Sequence, residues 1–279
     1  MCDSAMTFAL STNWNNRRLA TGEAIVDEAL ALGFKALELG FHTTPEQVKG
    51  FKARLGEMPV GSVHAFCPVP ISAPCGYPEL YHLADFDDET RALARVHVRK
   101  NVAFAAEMGA DALVLHAGRV PCRTLLRRNR LAKRTKRGRK LVEIFKRELE
   151  QLVPALEQNN VRLGLENLPY LEGFPSAAEM NDLAGEWVRP WYDTGHGYVR
   201  KLKGWDGADD EGLSSVLGLH ISDSKGGDDH LAPGDGQIDF AALAPLARVA
   251  RHLVFEPSHD VPADAVARGL RHIQSIWIS

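Results

Sequence analysis

Eight short apolar runs recur along this 279-residue chain, each carrying a polar or charged residue at or near its end. They are Thr7–Ser11, Ala36–Leu39, Gly61–His64, Ala112–His116, Arg162–Glu166, Val188–Asp193, Gly218–His220 and Leu253–Glu256. Their apolar character is nearly continuous rather than alternating, which suits strands buried on both faces of a parallel sheet.

Helical patterns fill the intervals. Thr21–Leu32 ends at Gly33, a helix stop. Thr44-Pro45 opens another helix in the order of cap, then first-turn proline. In Asp88–Met108, Val98, Val102, Ala105 and Ala106 share one stripe, and Gly109 closes it. Leu141, Phe145, Leu149, Leu152 and Leu156 form a second stripe, which Pro154 is expected to kink or end. Ala263–Ile276 is the last helix. Strand–helix alternation repeated eight times predicts a single (β/α)₈ TIM barrel over 1–279, an α/β fold that needs about 250 residues. A doubly wound open sheet is the runner-up, but no glycine-rich dinucleotide fingerprint follows the first strand.

A barrel of this kind gathers the ends of its strands around one axis. Those ends are Glu38, His64, His116, Glu166 with Asn167, Asp193 with His196, His220 with Asp223, and Glu256. So many acidic and imidazole groups aimed into one pocket repel or desolvate each other unless a cation neutralises them, so a metal site is expected. The stretch Leu217–Phe240 contributes further ligand types: after His220 comes a polar loop carrying Asp228 and His230. Gly234-Asp-Gly236 reads as turn chemistry. Asp223 is expected to hold a histidine or a water rather than a metal. Glu38 is expected to anchor a loop or touch substrate, and Asn167 to orient Glu166 or touch substrate. His42, His82, His97, His252, His259 and His272 read as surface or packing residues.

Composition excludes more than it selects. The chain is 45% hydrophobic and 25% charged, ample for a globular core, and no apolar run approaches the roughly 20 residues of a membrane span. The start MCDSAMTFAL lacks a signal-peptide pattern, and Cys2, Cys67, Cys75 and Cys122 make no zinc-ribbon spacing; a cytoplasmic protein with free thiols is expected. The net charge of −3 hides an asymmetry: Arg123–Lys140 holds 10 of the 33 basic residues and no acidic one. Such a block reads first as a solvated loop. Beside an active site it would favour an anionic sugar derivative or phosphates.

Glu166 in LGLEN, Asp193 and His196 in YDTGH, His220 in LHISDSK and Glu256 in LVFEP together resemble the xylose-isomerase-like TIM-barrel superfamily, across essentially the whole chain. That group contains sugar isomerases and epimerases and the endonuclease IV class of DNA-repair enzymes. The resemblance implies a four-ligand site of Glu166, Asp193, His220 and Glu256. In the sugar enzymes it holds one Mn²⁺, Mg²⁺ or Co²⁺, the two glutamates move a proton beside a carbonyl, and His196 binds the substrate oxygen. In the endonuclease class three Zn²⁺ are held, with His64 and His116 joining Glu166, and His196, Asp228 and His230 holding another ion. All nine positions carry the appropriate residue type here.

The loops favour the sugar enzymes. After His64 this chain has Phe66-Cys-Pro-Val-Pro and an acidic, proline-rich insertion in place of duplex-wedging residues, and Gly40-Phe-His-Thr stands where a DNA-contacting arginine loop would be. The expected function is thus a divalent-metal-dependent isomerase or epimerase acting on a small-molecule sugar or sugar derivative. The alternative is an endonuclease IV-like zinc phosphoesterase acting on nucleic acid. A homo-oligomer is implied by the resemblance as well.

Overall fold

The computed structural model describes residues 6–71, 73–119, 136–205, 213 and 215–278. Eight parallel strands close into a barrel: β1 (Phe8–Ser11), β2 (Ala36–Leu39), β3 (Val60–His64), β4 (Ala112–Leu115), β6 (Arg162–Glu166), β8 (Val188–Asp193), β9 (Gly218–Ile221) and β12 (His252–Phe255). Each pairs with its neighbours in chain order, and β12 closes back onto β1 through Phe8↔Leu253 and Leu10↔Phe255. All eight apolar runs of the sequence are barrel strands, and the open-sheet alternative is excluded. Two small antiparallel ribbons sit beyond the strand ends: β5 (Gly118–Arg119) with β7 (Gly173–Phe174), and β10 (Asp223–Lys225) with β11 (Asp228–Leu231).

The outer layer contains α1 (Gly22–Leu32), α2 (Pro45–Arg54), α3 (Asp88–Glu107), α4 (Lys136–Asn159), α5 (Ala177–Leu183), α6 (Thr194–Leu202), α7 (Phe240–Val249) and α8 (Ala263–Trp277). Their ends follow local chemistry. The Thr21 hydroxyl accepts from the Ala24 N–H, and Gly33 stops α1 at φ 94°, a left-handed position that glycine takes without strain. Thr44 and Gln47 form a reciprocal capping box with Pro45 in the first turn.

Two expectations need correction. Pro154 does not end its helix, and α4 runs on to Asn159. Pro154 and Glu150 are exposed, so the carbonyl that loses its N–H partner faces water, while buried Leu149, Leu152 and Leu156 hold the stripe on the barrel. The segment at Asp228 is not a plain loop but an antiparallel ribbon turning through Gly226 and Gly227, both at positive φ. Most of the basic block Arg123–Lys140 lies outside the described residues, which omit 120–135.

Side chains along a strand alternate between two faces. Phe8, Leu10, Leu37, Leu39, Leu113, Leu115, Leu163, Leu165, Leu219, Ile221, Leu253 and Phe255 pack outward under the helices. Ala9, Ala36, Ala112, Val114, Trp191, Leu217 and Val254 form a separate inner cluster. Trp191 fills the barrel floor because the neighbouring strands carry glycines: a Cβ on Gly218 would lie 2.5 Å from its ring, and one on Gly164 2.8 Å. His252 stacks beneath the indole (centroids 5.7 Å apart) and His220 sits against its other side at 5.2 Å. One period of two above this layer come Glu166, Asp193, His220 and Glu256, so the same alternation that buries the floor stacks the polar residues over it.

Gly218→Ala is expected to destabilise the protein by about 1–3 kcal/mol, the usual range for overpacking a core, read as a lower urea midpoint with an altered near-ultraviolet tryptophan signal. An unchanged midpoint would show that the indole is free to shift.

Candidate metal centre

Glu166, at the end of β6, is fully buried and touches three imidazoles. His220 Nδ1 lies 3.0 Å from its Oε1, while His64 Nε2 and His116 Nε2 lie 3.0 and 3.1 Å from its Oε2. Glu256, just past β12, brings its Oε2 to 3.1 Å from the same His220 Nδ1. Asp193 completes the group from the end of β8, with Oδ2 4.0 Å from His220 Nδ1. One donor atom from each of Glu166, Asp193, His220 and Glu256 lies within 4.8 Å of every other. These four residues come from four strands, and only barrel closure brings them together.

Hydrogen bonds settle which atoms are free to donate to a cation. His220 gives its Nε2 side to Glu38, at 3.1 and 3.2 Å, and Glu38 is itself fixed by the Ser62 hydroxyl at 2.8 Å. Nδ1 therefore faces the carboxylates, and the carboxylate behind it fixes the ring, a common support for a metal-bound histidine. His64 donates Nδ1–H to the Ala65 carbonyl at 3.0 Å, which leaves Nε2 as the atom facing Glu166 and the one free to bind a cation placed between them. Asp193 Oδ1 accepts the His196 N–H at 2.7 Å, whereas Oδ2 is buried without a hydrogen-bond partner. An orphaned carboxylate oxygen beside two other carboxylates is the atom a cation would satisfy.

A second group adjoins the first. His196, in the first turn of α6, donates Nδ1–H to the Asn167 carbonyl at 2.8 Å, and His230 donates Nδ1–H to the Glu256 carbonyl at 2.8 Å. Their Nε2 atoms face each other at 3.3 Å: neutral His196 offers a lone pair there and protonated His230 donates the N–H, a proton that a cation between them would replace. Asp193, His196 and His230 form a second cluster of metal-ligand geometry. His230 reaches this position at φ 57°, an unusual conformation for a residue with a Cβ, held by the Ser258 N–H donating to its carbonyl at 2.7 Å.

The charges compensate each other. Two like charges 4 Å apart cost about 4 kcal/mol at the effective dielectric near a protein surface, so uncompensated carboxylates could not share this pocket. Burial would raise Glu166, but the positive charges of His220 and His116 outweigh it and hold the carboxyl well below its usual range. Burial would lower His220, His116 and His230; instead Glu256 and Glu38 raise His220, Glu166 raises His116 to about 9, and Asp193 raises His230 to about 9. Burial raises Asp193, and the Glu166 charge adds to it against the pull of His230. His196 goes the other way, pushed down to about 4 by burial, and stays neutral.

The structure thus gathers Glu166, Asp193, His220, Glu256, His64, His116, His196 and His230. Asp228 is different. Its side chain is exposed on β11, and its backbone carbonyl accepts the Ser224 hydroxyl. The neighbouring Asp229 faces inward instead, with Oδ2 3.9 Å from His196 Nε2, and the positive φ of His230 breaks the strand's alternation so that both residues meet the site. Glu38, expected at a loop or at substrate, is sealed behind His220. Asn167 spends its amide on the Asp193 backbone, accepting from N at 2.7 Å and donating to O at 3.0 Å. Asp223 holds no histidine: its carboxylate accepts the N–H groups of Gly234, Gly236 and Ile238, tying down the turn after the ribbon.

Residues not singled out from the sequence also line the site. Asn13, in the short helical turn after β1, donates its amide to Glu256 Oε1 at 3.0 Å. Glu79 stands beside His116, and the Arg17 guanidinium meets His42 Nε2 at the rim. None lies in a strand, so no periodicity marks them.

A closed (β/α)₈ barrel with acidic and imidazole side chains at the strand C-termini defines a class. A sequence profile of that class, described as xylose isomerase-like TIM barrel, matches residues 26–276, and the chain belongs to this family. A D-tagatose 3-epimerase-like protein superposes with a TM-score of 0.71 at 20% identity, covering 98% of each chain. A 3-keto-D-glucoside 4-epimerase from E. coli does so at 0.68 and 17%, covering 97% of this chain and 100% of that one. A D-psicose 3-epimerase from Clostridium cellulolyticum H10, solved with D-tagatose, gives 0.67 and 14%, covering 98% and 99%. At these identities the likeness is one of fold. No curated protein matches the chain. No helix among the described residues is long and apolar enough to cross a membrane.

His116 and His230 are held above their ordinary value of 6.5, so the stability they contribute is complete below about pH 6.5 and lost as pH rises through about 9. Chelator-treated protein is therefore expected to lose thermal stability across that window. Each tenfold change in proton affinity is worth about 1.4 kcal/mol, so the loss should reach a few kcal/mol. Because metal ligands must be deprotonated, stabilisation by added Zn²⁺ should grow over the same interval. A flat melting profile from pH 6.5 to 9 would contradict the imidazole–carboxylate pairing.

Proposed function

We propose that the protein is a divalent-metal-dependent isomerase or epimerase acting on a small sugar or sugar derivative, by moving a proton on a carbon beside a carbonyl. The observation that carries this reading is the Glu166–Asp193–His220–Glu256 group, buried, with the Asp193 Oδ2 atom unpartnered. Structural relatives named as sugar 3- and 4-epimerases support the substrate class. The proposed ligands are these four residues, and the proposed ion is Mn²⁺, Mg²⁺ or Co²⁺. When bound, such an ion stabilises negative charge developing on a carbonyl oxygen and so acidifies the adjacent C–H.

The chain supplies the proton carriers. Glu166 and Glu256 approach the same His220 nitrogen from β6 and β12, so a sugar carbon held over that point has a carboxylate on each side. One takes the proton and the other returns it, and return to the opposite face inverts the carbon. Asn13 steadies Glu256, and His64 and His116 steady Glu166. His196, held neutral by burial, presents its imidazole to a substrate oxygen.

Deuterium incorporation at carbon from D₂O, followed by NMR on ketopentoses and ketohexoses with Mn²⁺-loaded protein, tests the reading. Glu166→Gln and Glu256→Gln are each expected to slow it by about 10²–10⁴, the usual share of a general acid or base. Unchanged rates in both variants would overturn the assignment.

A second reading rests on the facing Nε2 atoms of His196 and His230, which form a second donor pair beside Asp193. It is a zinc phosphoesterase of the endonuclease IV kind, with the resemblance-derived role of Asp228 passing to Asp229. Elemental analysis separates the two: about one ion per chain for the sugar enzyme, two or three zinc ions for the phosphoesterase. Abasic-site duplex left intact by fully zinc-loaded protein would remove the repair role.

A further inference from the structure

The insertion between β3 and α3 delivers one buried carboxylate to the site, Glu79, whose chemistry the metal-centre reading leaves unused. Its side chain is 4% exposed. Arg119, on β5, binds one oxygen only: Nε donates to Oε2 at 2.8 Å and an amino nitrogen approaches the same oxygen at 2.6 Å. Arg119 is in turn fixed, with its guanidinium 4.2 Å over the Tyr170 ring and 3.8 Å from Glu172. The clamp leaves Glu79 Oε1 pointing elsewhere, and what it faces is His116 Nδ1, at 3.7 Å. Both atoms are buried, and neither has a hydrogen-bond partner. Two complementary orphans less than 1 Å beyond hydrogen-bond length are a contact that a small side-chain shift completes.

Donor accounting shows what the contact does. His64 has its Nδ1–H spent on the Ala65 carbonyl, so Nε2, facing Glu166 Oε2, is the nitrogen it can offer to a cation. His116 is the other imidazole on that oxygen, at 3.1 Å through Nε2. A neutral His116 can offer Nε2 as a lone pair to a cation only if its proton sits on Nδ1, and an Nδ1 proton needs an acceptor in this buried place.

We propose that Glu79 is a positioning residue for His116: its Oε1 accepts the Nδ1 proton and so fixes the ring with Nε2 aimed at Glu166 and the metal centre. The inference rests on the reading of this group as metal-binding. It holds for one ion or three: His116 either binds an ion through an Nε2 lone pair or, protonated on both nitrogens, donates Nε2–H to Glu166, and in both cases Oε1 accepts the Nδ1 proton. It also assigns a task to the insertion, whose Glu79 closes the site from the side of β4.

Glu79→Gln supplies a test with a defined sign. Arg119 requires an acceptor, so the glutamine must turn its oxygen to Arg119 and its NH₂ to His116. Nδ1 then becomes the acceptor and the proton moves to Nε2, the form that cannot ligate. Protein with ¹⁵N-labelled histidine is followed by long-range ¹H–¹⁵N NMR with Zn²⁺, and Zn²⁺ affinity is measured by competition with a chelator. His116 is assigned through His116→Asn and told apart from nearby His82 through His82→Asn. Wild-type His116 is expected in the Nδ1–H form. Glu79→Gln should switch it to Nε2–H and weaken Zn²⁺ by about 10- to 100-fold, the usual effect of losing a ligand's supporting partner. Glu79→Asp should keep the tautomer. Arg119→Ala should weaken Zn²⁺ less and leave the tautomer unchanged.

Wild-type His116 found as Nε2–H overturns the proposal without any variant having to fold. So does Glu79→Gln with an unchanged tautomer and Zn²⁺ affinity within about twofold of wild type; in that case Glu79 serves only to hold Arg119. None of these readouts uses a sugar, so failure to find isomerase activity would reject the proposed reaction and leave this result standing.

Discussion

Charge compensation in a dry barrel mouth governs this molecule. Glu38, Glu166, Asp193 and His220 are wholly buried, with Glu256, His64, His116 and His196 nearly so. Acidic groups at such separations, out of water, are tolerable only when imidazoles or a cation stand between them. The imidazoles are accordingly distributed among the carboxylates: His220 between Glu38, Glu166 and Glu256, His64 and His116 against the far oxygen of Glu166, and His230 against Asp193. The protons raised on His220, His116 and His230 are the place-holders a metal would displace, which would couple metal affinity to pH and to fold stability.

The barrel makes this arrangement rigid. Trp191 packs the floor, seated between Gly164 and Gly218 directly beneath the polar layer. A second set of contacts fixes the rings: the Glu38 carboxylate behind His220, and the carbonyls of Ala65 behind His64, Asn167 behind His196 and Glu256 behind His230. Most of these are backbone carbonyls, which cannot reorient without moving a strand end. The tautomers are therefore a consequence of the sheet itself.

The strand ends were legible from the chain because burial on both faces leaves near-continuous apolar runs, and the residue that breaks each run stands at the mouth. Glu166, Asp193, His220 and Glu256 follow directly from that pattern. Asp228 did not follow: the D-x-H spacing looks the same in a loop and in a ribbon, and the irregular backbone at His230 leaves Asp229 facing inward and Asp228 in solvent. Asn13 and Glu79 carried no signal either. Each sits in an irregular connection, where the side chain's direction depends on turns that no periodicity encodes, and each acts on a partner far away in sequence. Glu38 was visible as a strand-end carboxylate, but only packing shows that it lies behind His220 rather than in front of it.

By itself, then, the order of amino acids determined the barrel, the capped helices and the identity of the groups crowding its mouth, because hydrophobic period and cap chemistry act over a few neighbouring residues. The tertiary structure decided which atoms of those groups face one another. It turned the Nε2 atoms of His196 and His230 together, left Asp193 Oδ2 without a partner and placed Glu79 beside His116. Each of these depends on closing strands far apart in the chain into one ring, and an orientation set by contacts across that ring has no local trace in the sequence.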